Sequence, residues 1–92
     1  MIHGAHVTIE SPASSNDLTH AINTAIEGSP FALAATTARG STATRCTFVP
    51  IRPGMALGYR NLIDLQHRLA HTVDIVGIER ITTLDQTARL AS

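Results

Sequence analysis

Between Ala5 and Glu10 the chain alternates, with Val7 and Ile9 on one side of an extended backbone and Thr8 and Glu10 on the other. This is the period-two pattern of a half-buried strand, which Pro12 closes. The spacing then changes. Leu18, Ala21, Ile22, Ala25 and Ile26 predict an amphipathic helix, with N-cap candidates among Ser14, Ser15, Asn16 and Asp17 and a stop at Gly28. Two runs rich in Ala, Thr and Val follow, Phe31 to Ala38 and Thr42 to Ile51; Arg39-Gly40-Ser41 between them predicts a hairpin turning at Gly40. Pro50, Pro53 and Gly54 break the second run. Met55, Tyr59, Leu62, Leu65 and Leu69 then share a helical stripe, with Arg60, Asp64, His67 and His71 opposite. Val73, Ile75, Val76, Ile78 and Ile81 predict a last strand, with Gly77 as a bulge or point of close approach. Thr83 and Gln86 fit a capping box, so a short helix is expected over about 84–91.

The order strand, helix, strand, strand, helix, strand predicts an α+β, ferredoxin-like βαββαβ domain. Its four-stranded antiparallel sheet would carry both helices on one face, in a single domain over 1–92 with its core at about 5–84. The other face, with Thr8, Glu10 and several hairpin threonines, stays bare. A bare face on so small a domain is commonly covered by a second copy, so a homodimeric α/β sandwich is expected. A solvated threonine-rich face on a monomer is the competing reading.

Composition narrows the chemistry. With 43% apolar and 15% charged residues the chain can bury a core, which excludes disorder as its general state. All seven cations are Arg, so Schiff-base and P-loop lysine chemistry are excluded. The net charge of zero argues against a general polyanion coat, and Phe31, Phe48 and Tyr59 are too few aromatics for a base-stacking platform. Arg45-Cys46-Thr47-Phe48-Val49 holds one aromatic where an RNA-recognition strand needs several. The chain has no apolar run near the roughly 18 residues of a membrane span, and its start lacks a signal-peptide pattern. A cytoplasmic location without membrane contact is the expectation.

Most candidate reactive groups have a plainer account. His67 and His71, with Asp64, have helical metal-ligand spacing, but the same face holds Arg60 and Arg68, which pair with Asp64 as on an ordinary solvated helix. His3, His6 and His20 read as surface residues. Cys46 reads as a small strand residue, and nothing forces two carboxylates into one pocket. No catalysis, cofactor or metal is expected. Charge is uneven along the chain, however: Arg39, Arg45, Arg52 and Arg60 stand in residues 28–63 without an acid. Arg39 and Arg45 flank the Gly40 turn, where guanidinium and backbone N–H donors can surround a carboxylate or phosphate. Salt bridges to the acidic segments are the alternative.

Ala5 to Leu84 resembles the C-terminal effector-binding (RAM) domain of the Lrp/AsnC, leucine- and asparagine-responsive, regulators. The stretch from Phe31 through Ala35-Thr36-Thr37 to Gly40 is similar to that family's AATTG; Gly58-Tyr59-Arg60-Asn61-Leu62 is similar to its LYRFL; Gly77-Ile78 followed by Thr83 is similar to its GV....T. The resemblance implies an amino-acid-sensing, oligomerising domain of a transcriptional regulator, without catalysis. Its dimers would form through their sheets, with either the dimer or an octamer of such dimers as the final assembly. It implies effector contacts at Gly40, Ser41 and Thr42 with Thr83 nearby, to which the charge argument adds Arg39 and Arg45. Ser41-Thr42-Ala43 stand where the family commonly has an acid, which alters recognition of an amino group. With no helix-turn-helix, no direct DNA binding by this chain is expected. A small dimeric α+β barrel enzyme, of cofactor-free monooxygenase or isomerase type, is the alternative, and a ligand-free oligomerisation module is a third.

Overall fold

The computed structural model describes residues 2–72 and 74–84. The alternating segment becomes β1 (Gly4–Glu10), followed by α1 (Ser15–Ile26), β2 (Phe31–Ala38), β3 (Ala43–Pro50), α2 (Tyr59–Ala70) and β4 (Gly77–Leu84). The strands form one antiparallel sheet in the order β2-β3-β1-β4. With two helices this is the ferredoxin-like arrangement that the element order predicts.

β1 is central because it can satisfy both requirements of a middle strand. Its Ala5, Val7 and Ile9 are fully buried on one face, and both of its edges are paired, Val7 to Cys46 of β3 and to Ile81 of β4. The helices close that face. Leu18, Ile22 and Ile26 of α1 and Leu65 and Leu69 of α2 join Phe31, Cys46 and Phe48 in one core. Each large aliphatic side chain removed from water there contributes about 1.5–3 kcal/mol. The Phe31 and Phe48 rings meet edge to face at 6.4 Å.

Local signals set the helix ends. The Ser14 Oγ accepts the Asp17 N–H at 3.2 Å, and Gly28, at φ +84°, turns the chain out of α1. The Gly58 N–H donates to Asn61 Oδ1 at 2.9 Å at the start of α2. Arg68 joins the two helices: its Nε donates to Asp64 at 2.7 Å, while Nη1 donates to the Ala25 and Glu27 carbonyls at 3.2 and 2.9 Å. A cation thereby meets the negative end of α1, whose last turn has no basic residue of its own.

Three details differ from the pattern-based expectation. The last strand runs Gly77–Leu84 instead of spanning 73–81. Ile75 is buried in the connection before it, and the Val76 N–H donates to the Glu10 carbonyl while Val76 itself is 70% exposed. A run of branched residues reads as a strand whether its side chains fill a sheet or plug a turn. Gly77 is no point of close approach, since a Cβ there would meet open space; the irregularity falls where Thr8 pairs with Arg80 but Ile9 with Ile78, leaving Glu79 as the extra residue. Tyr59 stands 71% exposed in the first turn of α2, and Met55 precedes that helix. The helix expected over about 84–91 lies outside the described residues except for Leu84, the end of β4.

Gly4 marks a real steric limit. At φ +148° its missing Cβ leaves room that the Phe48 carbonyl oxygen occupies, and Leu84 packs close beside it. Gly4→Ala is expected to cost about 1–3 kcal/mol, the range of an overpacked site. Chemical denaturation would show a lower midpoint for this variant than for Gly28→Ala, where the added methyl meets nothing.

Candidate functional site

The pleat that sends Ala5, Val7 and Ile9 into the core sends His6, Thr8 and Glu10 to the uncovered face. Their cross-strand neighbours follow by register. Thr8 lies between Arg45 of β3 and Arg80 of β4, with Thr37 of β2 beyond Arg45. In the adjacent row His6 lies between Thr47 and Thr82, with Ala35 beyond Thr47. Arg45 and Arg80 are two strand spacings apart, about 10 Å between backbones, a gap that long side chains can close over Thr8.

The result is a shallow cavity of about 290 Å³ on the open face, lined by His6, Thr8, Arg39, Arg45, Arg80 and Thr82. Three arginines line it from three elements: the hairpin turn, β3 and β4. No carboxylate among the described residues lines it. Among the described residues the Arg68–Asp64 pair is the one side-chain ion pair, so neither Glu10 nor Glu79 neutralises any of the three. The His6 Nδ1 is 2.9 Å from Thr47 Oγ1, which orients the ring. Burial, and then the positive charge of Arg45, lower the His6 pKa below the ordinary histidine value. Among the described residues the arrangement offers hydroxyl and guanidinium donors to an anion and no negative charge to a cation.

The site lies on the sheet, not at the turn. Of the sequence-based candidates, Arg39 and Arg45 line the cavity, whereas Gly40, Ser41 and Thr42 are exposed in the turn outside it. Thr83 pairs with Ala5 and so faces the helices, on the side opposite Arg45. His6, Thr8, Arg80 and Thr82 were not among those candidates. His6, read from the sequence as a surface residue, sits half-buried in the middle of the central strand. Its alternation with Val7 was the available signal; that Arg80 joins it depends on which strand β1 takes as its second neighbour.

The other groups take structural places. Cys46 is fully buried in the core, and burial pushes its thiol up to about 11. His67 and His71 stack on the exposed side of α2 with ring centroids 6.0 Å apart, while Asp64 is held by Arg68. Among the described residues no three His, Cys, Asp or Glu side chains converge as a metal site. No helix among them is long and apolar enough to cross a membrane. A larger groove of about 550 Å³ runs along the β2 edge beside Phe31, Leu33 and the half-exposed Ile51, and Glu27 is the one charged group lining it.

The sequence matches no protein-family model and no curated protein. Among solved structures it is similar to the TT0538 protein of Thermus thermophilus, with a TM-score of 0.75 and 22% identity over 90% of this chain. The matched region is 19% of that protein's length. At this identity the likeness concerns the fold.

Two titrations check the site. The imidazole of His6 is expected to titrate below the ordinary histidine range by NMR, and to move up in Arg45→Gln, which removes the facing charge while Arg80 and Arg39 remain. Because the unfolded chain then binds the proton more readily than the folded one, stability falls as pH drops through the ordinary histidine value towards the folded one. Cys46 is expected to resist a thiol reagent at neutral pH in the native protein and to react on unfolding, as absorbance of the released reagent would report.

Proposed function

We propose that this domain is a non-catalytic, ligand-binding module of regulatory type that holds a small anionic ligand on the open face of its sheet. The observation that carries the reading is the set of Arg39, Arg45 and Arg80 around one cavity that no carboxylate among the described residues lines. Clustered like charges on a sheet face oppose folding, and such a departure from local consistency is the kind that functional sites retain. A bound anion would remove the repulsion and add charge-assisted hydrogen bonds, which contribute more than neutral ones. Ligand and fold are then coupled.

Self-association belongs to the same proposal. Stacking two copies sheet to sheet, as the resemblance to Lrp/AsnC effector domains implies, would set the arginines of one copy against those of the other. Anions between the sheets would relieve that contact, so ligand and dimer would reinforce each other by mass action. In a cytoplasmic transcriptional regulator, the role the resemblance implies, such coupling would report ligand level as an assembly state, with DNA contacted by other parts of the complex.

Light-scattering mass and thermal unfolding, measured together across a panel of amino acids and other small anions, would check the reading. At least one anion is expected to raise the midpoint and the mass, since a ligand at 100 times its Kd stabilises by about 2.7 kcal/mol. Arg80→Gln would abolish the shift. Indifference of both signals to every panel member would overturn the proposal.

A further inference from the structure

We infer that the anion taken by the open face is a phosphomonoester, not an amino acid or a simple carboxylate; this rests on the reading that the face holds an anionic ligand at all. Three features of the cavity select the class. Its three arginines come from three separate elements, the hairpin turn, β3 and β4, and all line the one cavity. A terminal phosphate presents three strong acceptor oxygens in a pyramid and carries about −1.5 to −2 charges at neutral pH. A carboxylate presents two oxygens in one plane with a single charge, so it matches three arginines with fewer acceptors and less charge.

The second feature concerns what the lining lacks. An amino acid brings an ammonium group, which needs an acceptor and a negative charge close by. Among the described residues the cavity supplies Thr8 and Thr82 hydroxyls and the His6 ring, and every formal charge they place on its wall is positive. Glu10, the acid on the same face of β1, pairs with Ala43 and Gly77 one row beyond Thr8 and does not line the cavity. The sequence is consistent with this absence, since Ser41-Thr42-Ala43 contains no acid after the turn.

The third feature is size. A volume of about 290 Å³ lies at the lower end of small-molecule sites, which suits a phosphate on a short carbon skeleton. Thr8 and Thr82 line the same cavity, and their hydroxyls can each accept from, or donate to, an ester's neighbouring hydroxyl. The same chemistry occurs in a free metabolite and in a lipid headgroup ending in a phosphomonoester.

Calorimetric titration of the full chain at constant ionic strength would test this with four probes: inorganic phosphate, glycerol 3-phosphate, succinate and L-leucine. Glycerol 3-phosphate and phosphate are expected to bind at least about tenfold tighter than succinate or L-leucine, the gain of one further charged hydrogen bond. The amide NMR signals of His6, Thr8 and Thr82 would move on binding. Arg80→Gln and Arg45→Gln would each weaken glycerol 3-phosphate about tenfold or more. Arg39→Gln, at an exposed position outside the core, serves if either of those variants fails to fold. Co-sedimentation with phosphatidic acid vesicles, against vesicles of phosphatidylcholine alone, separates the two sources: retention specific to phosphatidic acid assigns the phosphate to a headgroup, and its absence beside glycerol 3-phosphate binding assigns it to a free ester. Succinate or L-leucine binding as tightly as glycerol 3-phosphate would overturn the phosphate assignment and leave the anion site standing. Binding of none of the probes would overturn both.

Discussion

The period-two alternation of β1, locked to the register of β3, governs the rest of the structure. Val7 opposite Cys46 and Ala5 opposite Phe48 put four buried side chains under the helices, and the same pairing puts His6 beside Thr47 and Thr8 beside Arg45 on the other face. A slip of one residue would drive His6 and Thr8 into the apolar core and lift Val7 and Ile9 into water, a change of several side-chain transfer energies at once. Core and candidate site are therefore two sides of one constraint.

The two faces ask opposite things of the chain. Under α1 and α2 the demand is close packing, met by Ile22, Leu65, Leu69 and Phe48 and clamped from the rim by Arg68, which holds Asp64 on its own helix and two carbonyls at the end of α1. Buried Cys46, its thiol pKa raised, belongs to that side as a packing residue. On the open face Arg39, Arg45 and Arg80 share a cavity with His6. Like charges so placed repel one another, and a bound anion would offset that repulsion.

The open face also bears on how this fold could assemble. A threonine-rich sheet surface would pack against a copy of itself with little electrostatic cost, and two of the hairpin threonines, Thr37 and Thr47, do lie on that side. Arg45 and Arg80 change the balance, since they share the row through Thr8 near the centre of the surface. Assembly through this face then depends on what neutralises them.

Much of this was legible in the chain alone. The helical spacing of Leu18, Ile22 and Ile26, the hairpin around Gly40 and the alternation after Ala5 each carry a periodicity that follows from backbone geometry, so element order and fold class were determined locally. The uneven distribution of arginine likewise singled out Arg39 and Arg45. What only tertiary structure decided was neighbourhood. Arg80 reaches the cavity because β1 pairs with β4 on the side opposite β3; Thr83 leaves it because the pleat turns the next residue over; and Ile75 fills a connection instead of a strand. Sequence periodicity records which way a residue faces within its own element, whereas the partner across a strand is set by long-range pairing, for which residues 8 and 80 hold no local sign.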